Sequence, residues 1–147
     1  MTTSERLQEQ AIERFWETVP PLWGTIRSHI RTAATEKFDI TVEQFHVLRY
    51  VRCGRDTISE LATAKNISRP AISQAVDVLV KKGMLRRVQS QQDRRYVELT
   101  LTDSGSDLLD AIFKETRGWM KEGMQILNEE ELEVITKGME ALQKILK

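Results

Sequence analysis

The chain has 147 residues, 40% of them hydrophobic and 30% charged, with equal numbers of basic and acidic side chains. That composition suits a folded globular protein and excludes a disordered or fibrous chain. No apolar run approaches the ~20 residues that a membrane span needs, and the N-terminus lacks the basic and apolar pattern of a secretory signal. One cysteine, Cys53, allows no intrachain disulfide and fits a reducing, cytoplasmic setting.

The zero net charge hides a division along the chain. Residues 1–54 carry seven basic and seven acidic side chains, 55–96 carry nine and four, and 97–147 carry six and eleven. The middle block is the one expected to meet an anion.

In chain order, Leu7, Ala11, Phe15, Val19, Trp23, Ile26 and Ile30 recur in steps of three and four, which predicts an amphipathic helix from about Ser4 to Ala34. Pro20-Pro21 predicts a kink or break within it. Thr41-Val42-Glu43-Gln44 reads as a capping box that opens a helix burying Phe45, Leu48 and Val51, with Gly54 as its stop. Cys53 follows that helix and is expected as a small buried hydrophobe. Thr57-Ile58-Ser59-Glu60 repeats the box and starts a short helix with Ile58, Leu61 and Ala62 inward. Asn66-Ile67 is a turn. Ser68 caps the next helix, with Pro70 in its first turn and Ile72, Val76, Leu79 and Val80 inward as far as Lys82.

After Gly83 the apolar period shortens to two, predicting strands near Leu85–Val88 and Tyr96–Leu101 around a polar tip, Gln89 to Arg95. Thr102-Asp103-Ser104-Gly105 opens a long helix whose apolar positions include Leu108, Leu109, Ile112, Phe113, Met120 and Leu127. Asn128 caps a last helix in which Leu132, Ile135, Met139, Leu142 and Leu146 have coiled-coil spacing.

Two short helices, a tight turn and a β-ribbon make a winged helix-turn-helix, so the fold class is mainly α with a small β wing. The second short helix can enter a major groove first turn leading. Its exposed early residues, Ser68, Arg69, Ala71, Ser73 and Gln74, are the candidate DNA contacts, together with Asp93, Arg94 and Arg95 of the ribbon tip. Arginine matches guanine's two acceptors, glutamine matches adenine, and the arginine pair suits a narrow minor groove. Asp93 and Arg95, two apart in an extended strand, share a face, so the carboxylate can hold the guanidinium in place. Strand alternation lets one of Arg86 and Arg87 face DNA and the other solvent, while Lys81 and Lys82 are either solvated helix-end charges or phosphate contacts.

Thr57-Ile-Ser-Glu-Leu-Ala, the run from Ile67 through Gly83, Asp93-Arg-Arg and Leu99-Thr-Leu-Thr-Asp-Ser-Gly together resemble the MarR family of regulators. The resemblance implies a homodimer on double-stranded DNA at a pseudo-palindromic operator, usually as a repressor. It implies helical dimerisation segments at 1–35 and 103–147, a reading domain at 36–102, and a small-molecule effector, aromatic or amphipathic in character. Phe15, Trp16, Trp23 and Trp119 serve either a dimer core or an effector pocket, with Trp23, beside the proline pair, the leading pocket residue. His29, His46 and Cys53 show no metal-ligand spacing, no cofactor motif occurs, and no constellation suggests an enzyme. The competing reading is a winged-helix protein–protein module without DNA binding.

Overall fold

The computed structural model describes residues 1–146, which fall into two compact units that divide between Thr116 and Arg117. Lys147, the last residue of the expected dimerisation segment, lies outside the described residues.

The first unit opens with α1, Thr3–Thr32, capped by a Thr2–Glu5 box. Of the expected kink or break, no break occurs: the helix is continuous through Pro20 and Pro21. Proline's fixed φ is itself helical, so the pair removes two backbone donors without ending the helix. The Thr25 hydroxyl donates to the Pro21 carbonyl at 3.1 Å, giving that oxygen a local partner. No residue of α1 is fully buried within the chain: Ile30 packs half-buried against the core and Val19 and Ile26 are half-buried, while Leu7, Phe15 and Trp23 are exposed. A π turn at Ala33–Lys37, unforeseen in the apolar period, ends the helix and buries Ala33 and Ala34.

Next, α2 (Val42–Arg52) starts at the predicted box of Thr41 and Gln44 and buries Phe45, Val47, Leu48 and Val51. Gly54 leaves it at φ 92°, a left-handed value that favours glycine. Cys53 is exposed, not buried. The helix stops at Arg52, so the period that would turn residue 53 inward ends one position early. The next helix, α3 (Ile58–Lys65), keeps half its predicted box: Thr57 accepts the Glu60 N–H at 3.1 Å. Leu61 and Ala62 are buried, and Ile58 only partly.

Asn66 in the left-handed conformation, φ 52°, turns the chain into α4, Arg69–Lys81. Ser68 caps that helix by accepting the Ala71 N–H at 3.3 Å. Ile72, Val76 and Leu79 are buried, while Val80 is half-buried at the edge of the core. Gly83, φ 75°, leads into β1 (Leu85–Gln89), which pairs antiparallel with β2 (Val97–Leu101), Leu85 opposite Leu101 and Arg87 opposite Leu99. Of the alternating apolar residues of β2 only Leu99 is buried, because the outer end of the ribbon has left the core. The Leu99 N–H donates to the Asp56 carbonyl at 2.6 Å, fastening the ribbon to the start of α3.

The long α5, Asp103–Gly123, begins where Thr102 bridges two segments: its hydroxyl donates to the Gly83 carbonyl at 2.5 Å and accepts the Gly105 N–H at 3.1 Å. Its first half inserts Leu109 and Ile112 into the core shared by Phe45, Leu48, Leu61, Ile72, Leu79 and Leu99. An Arg52–Asp110 ion pair of 2.7 Å and a Lys37–Glu115 pair lie outside this core.

The second unit holds the end of α5, a 3-10 turn at Met124–Ile126 and α6, Glu129–Gln143, which starts at the predicted Asn128 cap. Leu127 is extended and lies beyond α5, not on it, since the helix ends at Gly123. Along α6, Leu132, Ile135 and Met139 are exposed and Leu142 is half-buried, and Leu146 lies past the helix end. Most of the coiled-coil seam is therefore left exposed within a single chain.

Candidate nucleic-acid interface

The core fixes which face of α4 is free. Ile72, Val76 and Leu79 point inward, so helical spacing turns Arg69, Ser73 and Asp77, four residues apart, along one side. Ser68, Arg69, Ala71 and Gln74 are exposed and Ser73 is half-buried. These five predicted contacts thus gather at the first two turns of one helix, with the positive end of the peptide dipoles at its start.

The wing tip is held by a turn. The Ser90 N–H donates to the Tyr96 carbonyl at 3.0 Å, and the Tyr96 N–H donates to the Asp93 carbonyl at 3.1 Å. Within it Asp93 Oδ1 accepts the Arg95 N–H at 3.1 Å, an Asx-type turn. The Arg95 guanidinium donates to both carboxylate oxygens, Nε at 3.1 Å and 3.2 Å and Nη2 at 2.8 Å. These hydrogen bonds hold the Asp93 carboxyl below its ordinary range and raise the Arg95 guanidinium. The expected pairing is therefore present, but its cause differs: residues 93–96 form a turn, so strand alternation does not bring the two together. Arg94 is exposed, and its carbonyl accepts from the Gln89 side chain at 2.8 Å.

Strand alternation does not decide between Arg86 and Arg87, but the position of Arg87 does. Arg87 forms an ion pair with Asp77 of α4, across from buried Leu99, and no comparable pair holds Arg86 among the described residues. A cleft of about 330 Å³ separates the start of α3 from α4 and the wing, and Arg87 and Arg95 both line it. The acidic partner of Arg87, one helical turn beyond Ser73, gave no signal in the sequence because it depends on how the ribbon lies on α4. Lys82 donates to the Asp39 carbonyl at 2.7 Å, which favours a structural helix-end role.

Away from this surface, Trp16 and Trp23 are 67% and 49% exposed and Phe15 meets Trp16 edge-on at 6.0 Å. Trp23 lies within the continuous α1, just after the proline pair. His46, half-buried on α2, is pushed below its ordinary value by burial first, then by Lys65 and Arg49. Among the described residues no group of histidine, cysteine and carboxylates could hold a metal, and no helix is long and apolar enough to cross a membrane.

A short helix pair turned at Asn66, an exposed leading face on the second helix and an arginine-tipped ribbon define a winged helix-turn-helix protein. Over residues 38–95 the chain matches the sequence model of the MarR family. It is 29% identical over 111 residues to the HTH-type transcriptional regulator YhbI of Bacillus subtilis, covering 75% of this chain and 71% of that one. Among solved structures it is similar to the transcriptional regulator Tm0710 of Thermotoga maritima, with a TM-score of 0.80, 18% identity and coverage of 91% and 94%. It is also similar to Streptococcus pneumoniae FabT in complex with DNA, with a TM-score of 0.66, 22% identity and coverage of 92% and 96%.

Proposed function

We propose that this protein is a sequence-specific repressor that binds a pseudo-palindromic operator as a homodimer, and that a small ligand weakens that binding. The observation that carries the reading is the pairing of an exposed α4 leading face with an Arg95 oriented in advance by Asp93. Fixing the guanidinium before binding lowers the ordering cost of inserting it into a minor groove. Arg69 and Gln74 would read base edges, Ser68 and Ser73 would meet phosphates or bases, Ala71 would lie against a thymine methyl, and Arg94 would support the wing. The DNA-bound FabT supports this use of the shared fold.

Residues 36–102 would form the reading domain, with 1–35 and 103–147 making the dimer. The largely exposed apolar faces of α1 and of α6 support that division, because exposed side chains such as Trp16 and Ile135 gain from burial against a second copy. Two copies would set their α4 helices about one DNA turn apart, ~34 Å, and a ligand beside Trp23 would act only by favouring another spacing.

The test is operator selection followed by gel shift at fixed salt. Arg95→Ala should weaken binding at least tenfold, in keeping with loss of an arginine contact. Trp16→Glu should yield monomers in sedimentation and lose operator binding with them. Unchanged affinity in the first variant, or a wild-type protein that is monomeric while still bound to DNA, refutes the reading.

A further inference from the structure

We propose that the cleft beneath the wing is a backbone-phosphate subsite, and that Arg87, held in reserve by Asp77, is a DNA-contact residue. This rests on the DNA-binding reading and deepens it. The cleft is bounded by Thr57 and Ser59 at the start of α3, Ser73 on α4, and Arg87, Arg95 and Tyr96 of the wing. Ile58, Val97 and Leu99 complete the lining as apolar residues; its charged residues are both arginines, and no carboxylate lines it. Hydroxyls and guanidinium groups around one opening select an oxyanion with several acceptor oxygens.

Position identifies which oxyanion. If α4 occupies a major groove and the wing the neighbouring minor groove, the sugar-phosphate strand dividing those grooves must cross between them. The cleft lies at that crossing, with Ser73 on one wall and Arg95 on the other.

The two arginines begin in different circumstances. Arg95 is tied to Asp93 in its own turn, whereas Arg87 spans from β1 to Asp77 on α4. Asp77 follows Ser73 by one helical turn, so its carboxylate sits beside the surface that must approach a polyanion. Arg87 neutralises it. Asp77 and Arg87 side chains are 52% and 38% exposed, and ion pairs so open to water hold their partners weakly. The guanidinium can exchange the carboxylate for a phosphodiester, which it can grip with two parallel N–H groups.

The test is a double-mutant cycle in the full-length protein, reading duplex affinity by fluorescence anisotropy across a salt series. Arg87→Ala should weaken binding about tenfold on operator and unrelated DNA alike and flatten the log–log salt slope by ~0.9, the value for one phosphate. Arg87→Gln carries the same expectation should the alanine variant fold poorly. Asp77→Asn should tighten binding in both backgrounds, by relieving repulsion alone once Arg87 is alanine and by freeing the guanidinium as well in the wild type, so the two effects should differ in size. Arg86→Ala, on the other face of β1, should leave the slope within error. The proposal is overturned if Arg87→Ala keeps the wild-type slope, if Arg86→Ala lowers it equally, or if Asp77→Asn acts the same in both backgrounds. The last result would mean bulk charge and not release of Arg87. Wild-type binding weakened by Arg95→Ala but not by Arg87→Ala removes this subsite alone; absence of salt-dependent binding removes the parent reading.

Discussion

Replacing Ile72 by alanine asks whether the core, and not the local helix, positions the reading face. Ile72 is 0% exposed and lies between two candidate contacts, the exposed Ala71 and the half-buried Ser73. The substitution removes three buried carbons, about 2.4 kcal/mol at ~0.8 kcal/mol per methylene. The surrounding side chains, Leu61, Val76 and Leu99 among them, come from separate elements and cannot all close on the gap. A cavity term then brings the loss to about 3–4 kcal/mol, within the range for buried large-to-small changes. Urea unfolding at one fixed protein concentration should show this as a midpoint ~1.5–2 M lower for a slope near 2 kcal/mol/M. Val78→Ala, 37% exposed on the same helix, should change stability by about 0.5 kcal/mol or less. A loss below ~1 kcal/mol at Ile72, or an equal loss at Val78, would refute the inference that this buried stripe orients α4.

Gly105→Ala should destabilise by about 1–3 kcal/mol in thermal melts, because a Cβ there runs into the Met84 backbone carbonyl, which cannot rotate aside as a side chain can. His46 gives the fold a pH dependence. Its folded value lies below 6.5, mainly through burial and then through Lys65 and Arg49, so the unfolded chain takes up a proton first. Stability from this group is full above that value and is lost as pH falls through the lower folded one. Denaturant midpoints measured from pH 7.5 to 5 should therefore fall for the wild type and fall less for His46→Gln; parallel curves would show that other groups control the acid limb.

The helix boundaries were legible wherever a side chain acts on its own backbone. Thr41, Ser68 and Asn128 cap the helices that their spacing announces, and Gly54 and Gly83 adopt the left-handed φ that their places after helices suggest. Cys53 and Leu127 were misplaced for a shared reason. An apolar period carries no mark of the residue at which a helix stops, and each lies just past such a stop.

Local chemistry, encoded in caps, glycines and periodicity, determined that this chain builds two short helices and a ribbon and which residues of α4 would turn outward. Interactions between elements required the folded chain. The Asp93–Arg95 clasp arises from a turn, and the Asp77–Arg87 pair from the way β1 lies against α4. Side chains ten residues apart in sequence meet only when packing brings their elements together, and no short-range pattern records that distance. For the same reason, the cleft between α3 and the wing, with Arg87 and Arg95 in its lining, belongs to the tertiary structure alone.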